Sequence, residues 1–199
     1  MTWRKATRMS RTVSRNRRSA KKAGTALETK VCDYLRWALD DPRIQRLRLH
    51  GAKDIGDIGN VYFRGRLVTI ECKNTKRKAY AEHMHEAATE AGNADSELWF
   101  VIQKLPGVGI ATRESVGKQL VYTDRSVINR MASMLSSFEG DAYDMALRHR
   151  LIHLWQGFAV RGGAAGSNPV NTTLENLALI LNDFLPLGPD DTETTSDPT

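Results

Sequence analysis

The stretch from residue 56 to residue 74, GDIGNVYFRGRLVTIECKN, constrains the fold more than any other part of the chain. Residues 58–63 and 67–73 are rich in β-branched, aromatic and other apolar side chains, as strands are. The Arg64-Gly65 pair between them is short enough to form a hairpin turn. The stretch therefore predicts two antiparallel strands, and the second of them ends in the charged residues Glu71 and Lys73.

Helical and strand-like patterns flank this hairpin. Residues 25–28, TALE, have the S/T-x-x-E form of a capping box and predict a helix that runs to about residue 40, where Asp41-Pro42 interrupts it. The order of elements predicts an α/β fold, in which a mixed β-sheet is flanked by helices and extra helices follow at the C-terminus. Periodicity predicts the other strands at residues 46–49, 98–102 and 119–122, and the other helices at residues 80–91, 124–138, 142–159 and 172–184.

The two ends of the chain differ in charge. Residues 1–22 contain nine Lys or Arg and no acidic residue, whereas the rest of the chain has 20 basic and 23 acidic residues. Such a block predicts a disordered arm that contacts nucleic acid, and the alternative is an effect on solubility alone. The acidic, Thr-rich segment 189–199 predicts a disordered tail. We expect the chain to divide into an arm at 1–23, a folded domain at 24–140, a helical extension at 141–186 and a tail at 187–199.

Cysteine usage and hydropathy indicate the compartment. Only Cys32 and Cys72 are present, which does not suggest a disulfide framework and favours a reducing interior. No apolar run approaches the length of a membrane span, and the N-terminus lacks the apolar middle of a signal peptide. We therefore expect the protein in the cytoplasm.

Strand alternation divides the residues of the second hairpin strand between two faces. Val68, Ile70 and Cys72 share one face, so that Cys72 is interpreted as a small core residue. Glu71 and Lys73 stand together on the other face. Pairing about the Arg64-Gly65 turn places Asp57 near Cys72 and its neighbours. Two carboxylates and a lysine are therefore expected to converge at one end of the hairpin.

This set of residues is suited to the hydrolysis of phosphodiester bonds. Hard divalent cations prefer carboxylate oxygens, and one bound between Asp57 and Glu71 would polarise a phosphate and activate a water. Lys73 would orient that water or stabilise the charge that develops on the phosphate oxygens. Glu28 lies at the edge of the apolar stripe of the first helix, where a third carboxylate could face the sheet. The alternatives are an Asp in a turn, a Glu–Lys pair on an exposed strand and a Glu that only caps its helix.

The segments GTALETKVCDYL, GAKDIGDIG and VTIECKN resemble the PD-(D/E)XK nuclease superfamily over about residues 24–135. The pattern is most similar to archaeal-type Holliday junction resolvases and to resolvase-like endonucleases of actinobacterial phages. The resemblance implies a restriction-endonuclease-like fold, a homodimer, and cleavage of four-way or other branched DNA in a bacterial or phage-infected cell. It also implies a metal site for Mg²⁺, or alternatively Mn²⁺, formed by Glu28, Asp57 and Glu71, with Lys73 as the catalytic lysine. Asp54 is an alternative to Asp57, which we prefer because it directly opens the strand.

Basic and polar residues around the motif are candidate contacts to the DNA backbone. The run at residues 76–78 follows the motif strand directly, and its alternative interpretation is a solvated turn. The next strand ends in a further lysine near the same edge. The predicted DNA-contacting residues are Asn74, Lys76, Arg77, Lys78 and Lys104, together with Arg15, Arg17 and Arg18 of the arm.

Other sequence features support different functions less well. His149 and His153 have the i, i+4 spacing of a zinc pair, but no third ligand is evident. His83 and His85 are expected to be solvated, and the glycines near residue 108 do not form a phosphate-binding loop. Two alternatives to a junction resolvase stay open: a restriction-like or replication-associated nuclease acting on other DNA structures, and a non-catalytic DNA-binding protein with a vestigial nuclease fold.

Overall fold

An open, mixed β-sheet of eight strands organises the part of the chain that the computed structural model describes, residues 17–47, 54–75, 79–135, 142–158, 160 and 166–189. Its strands are β1 (Gln45–Arg46), β2 (Ile58–Gly59), β3 (Tyr62–Phe63), β4 (Arg66–Lys73), β5 (Leu98–Gln103), β6 (Leu120–Asp124), β7 (Gln156–Gly157) and β8 (Pro169–Thr173). Their order across the sheet is β1-β2-β4-β5-β6-β8-β7, with β3 paired to β4. The β4–β5 pair is parallel and the other pairs are antiparallel.

Helices cover this sheet, so the α/β class predicted from the sequence is confirmed. All six residues of β5 are buried, which requires cover on both faces of the sheet. No described helix is both long and apolar enough to cross a membrane. The described helices are α1 (Arg17–Ala38), α2 (Tyr80–Asn93), α3 (Arg113–Gly117), α4 (Arg125–Met134), α5 (Ala142–His153) and α6 (Leu174–Leu181).

The hairpin turn has the predicted form, but the two strands contain a one-residue irregularity. Arg64 and Gly65 both have positive φ, 49° and 76°, which is typical of the turn that matches strand twist. Tyr62 lies opposite Leu67, whereas four residues earlier Ile58 lies opposite Ile70, only three residues further along β4. The first strand therefore contains one extra residue, a β-bulge, near Asn60 at φ 63°.

The bulge corrects the predicted position of Asp57. A regular hairpin would place Asp57 opposite Cys72, on the core face of β4. With the extra residue absorbed by the bulge, Asp57 instead comes level with Glu71, on the face that also carries Lys73. The backbone N–H of Asp57 donates to the Ile70 carbonyl over 2.8 Å, which fixes this arrangement.

The first helix begins earlier than the sequence predicts. Residues 25–28 lie inside α1, which already includes Arg17, so they do not form a capping box at its start. Residues 17–22, RRSAKK, consist mostly of good helix formers, and they extend the helix into the segment predicted to be a disordered arm. Residues 1–16 and the predicted tail from residue 190 onwards lie outside the described residues.

The predicted helical extension at residues 141–186 forms part of the sheet. Strand β8 pairs with β6 over five residues, from Leu120 opposite Thr173 to Asp124 opposite Pro169. The VNTT sequence at residues 170–173 favours a strand because three of its four residues are β-branched. Thr173 then caps α6 by accepting a hydrogen bond from the Asn176 backbone N–H. The described part of residues 142–186 therefore adds two strands as well as two helices.

Candidate active site

Two carboxyl groups, those of Asp57 and Glu71, meet at one end of the hairpin. Glu71 is buried with 7% of its surface exposed, and its carboxyl group lies within hydrogen-bonding reach of that of Asp57. The Asp57 carboxyl also accepts a hydrogen bond from the Cys72 backbone N–H over 2.8 Å, which holds it against β4. The bulge in the hairpin and the alternation of β4 together produce this pair.

Burial makes the ionised forms of both carboxyl groups unfavourable. It raises the pKa of Asp57 to about 8, and the neighbouring Glu71 charge adds to the shift. Burial likewise raises the pKa of Glu71 to about 7, although Lys73 opposes the shift. Near neutral pH the pair therefore holds a proton, which a bound cation could replace.

The ammonium of Lys73 lies between two carboxylates. Its Nζ is 2.5 Å from Glu71 Oε1 on its own strand and 2.8 Å from Glu86 Oε2 on α2. Burial lowers the pKa of Lys73, but the Glu71 and Glu86 carboxylates more than offset this effect and raise it. Lys73 therefore remains a cation at the position where the sequence predicts the catalytic lysine.

Helix α2 contributes two carboxylates that the sequence reasoning missed. Glu86 pairs with Lys73, and the Glu90 carboxyl group is within hydrogen-bonding reach of Glu71. The buried Glu90 Oε2 has no donor, because a second carboxylate offers only acceptor atoms unless one of the two is protonated. A signal was available in the sequence, since Glu82, Glu86 and Glu90 recur every four residues along one side of the helix.

Glu28 lies near the carboxyl pair but is bound to an arginine. Its Oε2 accepts a hydrogen bond from Arg46 Nη1 on β1 over 2.9 Å, and both side chains are partly buried. Glu28 is close enough to contribute to the raised pKa of Asp57. The structure thus brings Glu28 to the neighbourhood of the site, with its carboxylate engaged by Arg46.

Asp54, the alternative to Asp57, contacts the site less directly. Its side chain accepts a 3.4 Å hydrogen bond from the Gly56 backbone N–H, and its carbonyl accepts one from the Asn93 side chain. Its charge acts on Glu90, whereas the Asp57 carboxyl touches Glu71 itself. Of the two aspartates, the geometry favours Asp57 as the residue that shares the site.

The predicted DNA-contacting residues are only partly brought together. The Asn74 amide donates to the Ala23 carbonyl over 2.7 Å, which ties the end of β4 to α1. The Lys104 ammonium donates to the Val108 carbonyl over 2.8 Å, within its own loop. Arg17 and Arg18 are exposed at the start of α1. Arg15, Lys76, Arg77 and Lys78 lie outside the described residues.

The described histidines occupy different positions in the fold. His83 is buried, contrary to expectation, and its Nδ1 lies 2.8 Å from the Tyr122 hydroxyl. His149 and His153 approach each other on α5 with their Nε2 atoms 2.8 Å apart. Within the described ranges, no group of three or more His, Cys, Asp or Glu side chains is arranged to hold a metal ion.

A hard divalent cation fits the carboxyl pair better than it fits any of the histidines that the structure describes. Asp57 and Glu71 supply two buried carboxyl groups, and Lys73 is the cation that pairs with Glu71. Mg²⁺ is usually bound through one or two carboxylates, and water and substrate phosphate complete its coordination. A site in which the protein supplies only two ligands is therefore compatible with Mg²⁺ in particular.

Comparison of the chain with protein-family models, with curated proteins and with solved structures gave no match. The interpretation of the site therefore depends on its geometry and on the sequence motifs.

Proposed function

We propose that this chain is a metal-dependent endonuclease that hydrolyses phosphodiester bonds in DNA. The observation that supports the proposal is the convergence of Asp57, Glu71 and Lys73 on one face at the end of β4. Two carboxylates beside a lysine are the groups that such a reaction requires. The arrangement also agrees with the resemblance of the sequence to the PD-(D/E)XK superfamily, whose restriction-endonuclease-like fold is part of the proposal.

In this proposal each residue has a distinct role. Asp57 and Glu71 would hold Mg²⁺, which supplies Lewis-acid chemistry at the phosphate when it is bound. Lys73 places a positive charge where negative charge develops on the phosphate oxygens. Burial of the carboxyl pair keeps water from screening these charges, so each acts more strongly than it would at an open surface.

The particular activity that we propose is resolution of Holliday junctions by a homodimer. A four-way junction needs two symmetric cuts, which two identical active sites can supply. This finer assignment is based on the similarity of GTALETKVCDYL, GAKDIGDIG and VTIECKN to the resolvases.

A cleavage assay with purified protein tests both levels of the proposal. Labelled four-way, forked and linear duplex DNA would each be incubated with the protein in Mg²⁺ or in EDTA. We expect Mg²⁺-dependent cuts, with the four-way junction preferred. Equal cleavage of linear duplex would reject the resolvase assignment and leave a general nuclease, whereas no cleavage of any substrate would reject the enzyme.

The basic N-terminal segment yields a separate prediction. Deletion of residues 2–16 removes five Lys or Arg and leaves α1 intact. We expect weaker DNA binding and a shallower salt dependence, because the slope of log affinity against log salt changes by about 0.9 for each phosphate that the protein no longer neutralises. The cleavage rate at saturating DNA should remain close to wild type. An unchanged affinity and an unchanged salt slope would exclude this segment from the DNA interface.

A further inference from the structure

We propose that Glu86 of α2 is a positioning residue that holds Lys73 in its reactive place. This inference depends on the proposed nuclease function and extends it to a helix outside the sequence motif. The 2.8 Å ion pair between Glu86 Oε2 and Lys73 Nζ is its first support. In this arrangement Glu86 acts through Lys73 and does not itself touch the phosphate.

The need for a second carboxylate follows from the two roles of Glu71. Glu71 contacts both Lys73 and Asp57, so its carboxyl group is shared between the lysine and the proposed cation position. A carboxylate that serves a cation has less charge to offer a neighbouring ammonium. Glu86 also contacts the Lys73 ammonium, and the described side chains show no contact between Glu86 and the carboxyl pair, so it can keep its ion pair with the lysine in either case.

The packing of α2 fixes Glu86 in this position. Three residues before it on the helix, the buried His83 contacts the Tyr122 hydroxyl, which donates to Gln103 Oε1 over 3.1 Å. Gln103 lies beside Lys73 in the parallel β4–β5 pair. The helix is thus joined to the strand ends by a buried hydrogen-bonded chain as well as by the Glu86 ion pair. A side chain on a well-packed helix is placed more accurately than one on a loop.

Lysine side chains have long, flexible stems, and holding one in a single position costs conformational entropy. An ion pair that is formed before the substrate binds removes that cost from the reaction step. Glu86 is about half-exposed, with 42% of its side-chain surface accessible. Its value to folding stability is therefore small, as is usual for partly solvated pairs. We therefore expect loss of Glu86 to change the rate of the cleavage step rather than the stability of the fold.

The test compares Glu86→Gln and Glu86→Asp with wild type in single-turnover cleavage. We expect Glu86→Gln to lower the rate at saturating DNA and Mg²⁺ by about 10-fold to 100-fold, the cost of a misplaced reacting group. The DNA concentration for half-maximal rate should not change. Glu86→Asp keeps the charge and should recover part of the rate. Glu114→Gln, which breaks the exposed pair between Glu114 of α3 and Lys118 just after that helix, is the matched control and should cut like wild type.

A second readout needs no catalysis. Acetylation of Lys73 by acetic anhydride, followed by mass spectrometry, should be several-fold faster in Glu86→Gln than in wild type, because the side chain loses one of its two ion-pair partners and its neutral amine, the form that reacts, becomes more accessible. Lys104 in the same sample reports general reactivity and should not change.

If Glu86→Gln cuts like wild type, or if Lys73 labelling does not change, the positioning role is wrong and the nuclease assignment stands. If wild-type protein cuts no DNA at all, the nuclease function itself fails, and the role of Glu86 in positioning Lys73 for cleavage fails with it.

Discussion

Asp57→Ala and Glu71→Ala will abolish DNA cleavage, and DNA binding will persist or become tighter. Each substitution removes one of the two carboxyl groups that could hold Mg²⁺, and each reduces the negative charge that the pair can present to a phosphate once both groups are ionised. Lys73→Ala will lower the cleavage rate by at least about 100-fold, the usual cost of losing one preorganised electrostatic group. Cleavage of labelled junction DNA and a parallel binding assay in EDTA measure the two effects separately.

Cys72→Ala is the control between the two charged positions. Cys72 is buried on the opposite face of β4, so its truncation is expected to cost about 1 kcal/mol of stability and to leave cleavage mostly intact. The comparison across residues 71, 72 and 73 tests strand alternation together with chemistry. If Glu71→Ala and Lys73→Ala proteins cut as fast as wild type, the charges at the end of β4 belong to an ordinary strand terminus.

Asp57→Asn will raise the melting temperature in EDTA at alkaline pH and remove the stabilisation given by Mg²⁺. The pKa of Asp57 is raised from 3.8 to about 8 in the folded protein, so between these values the folded state holds a proton that the unfolded state has lost. The free energy of unfolding therefore falls as pH rises through this range, and it falls further because Glu71 titrates near 7. A neutral asparagine avoids this loss, and each 1 kcal/mol raises the melting temperature by about 2–4 °C in a chain of this size.

The effect of Mg²⁺ on the melting temperature tests the same carboxyl pair in a second way. Because the cation must displace the shared proton, Mg²⁺ should stabilise wild-type protein more at roughly pH 8.5 than at roughly pH 5.5. In Asp57→Asn this pH-dependent gain should disappear. A wild-type melting temperature in EDTA that does not fall between these two pH values would contradict the buried, protonated pair.

Asp124→Asn is a control in which loss of a carboxylate should lower the stability of the fold, whereas Asp57→Asn should raise it. Asp124 caps α4, and although burial works against it, hydrogen bonds from Ser126 and from Asn168 lower its pKa. Its carboxylate therefore stabilises the fold above its ordinary pKa, and this contribution is lost as pH falls. Asparagine caps a helix about as well as aspartate, so Asp124→Asn should lower the melting temperature at neutral pH only through loss of the charge that these hydrogen bonds stabilise.

The features that could be predicted from the sequence are those that neighbouring residues determine. The alternation in LVTIECK places Glu71 and Lys73 on one face and Cys72 on the other, because successive side chains of a strand point in opposite directions. The short turn at Arg64-Gly65 and the cap at Asp124 are likewise evident from a few residues. In contrast, the sequence predicts a loop and the start of a helix where the VNTT strand lies, because that strand is short and its partner β6 is about 50 residues away.

The composition of the site was decided by the tertiary structure. The bulge near Asn60 shifts the hairpin register by one residue. Because of this shift, Asp57 lies beside Glu71 and does not face the core. Packing of α2 on the sheet brings Glu86 to Lys73, and the position of β1 brings Arg46 to Glu28. By itself the sequence determined which charged residues end β4 and which way they face, since that depends on backbone periodicity alone. Their partners required the folded chain, because contacts between distant residues depend on register and packing that no local pattern encodes.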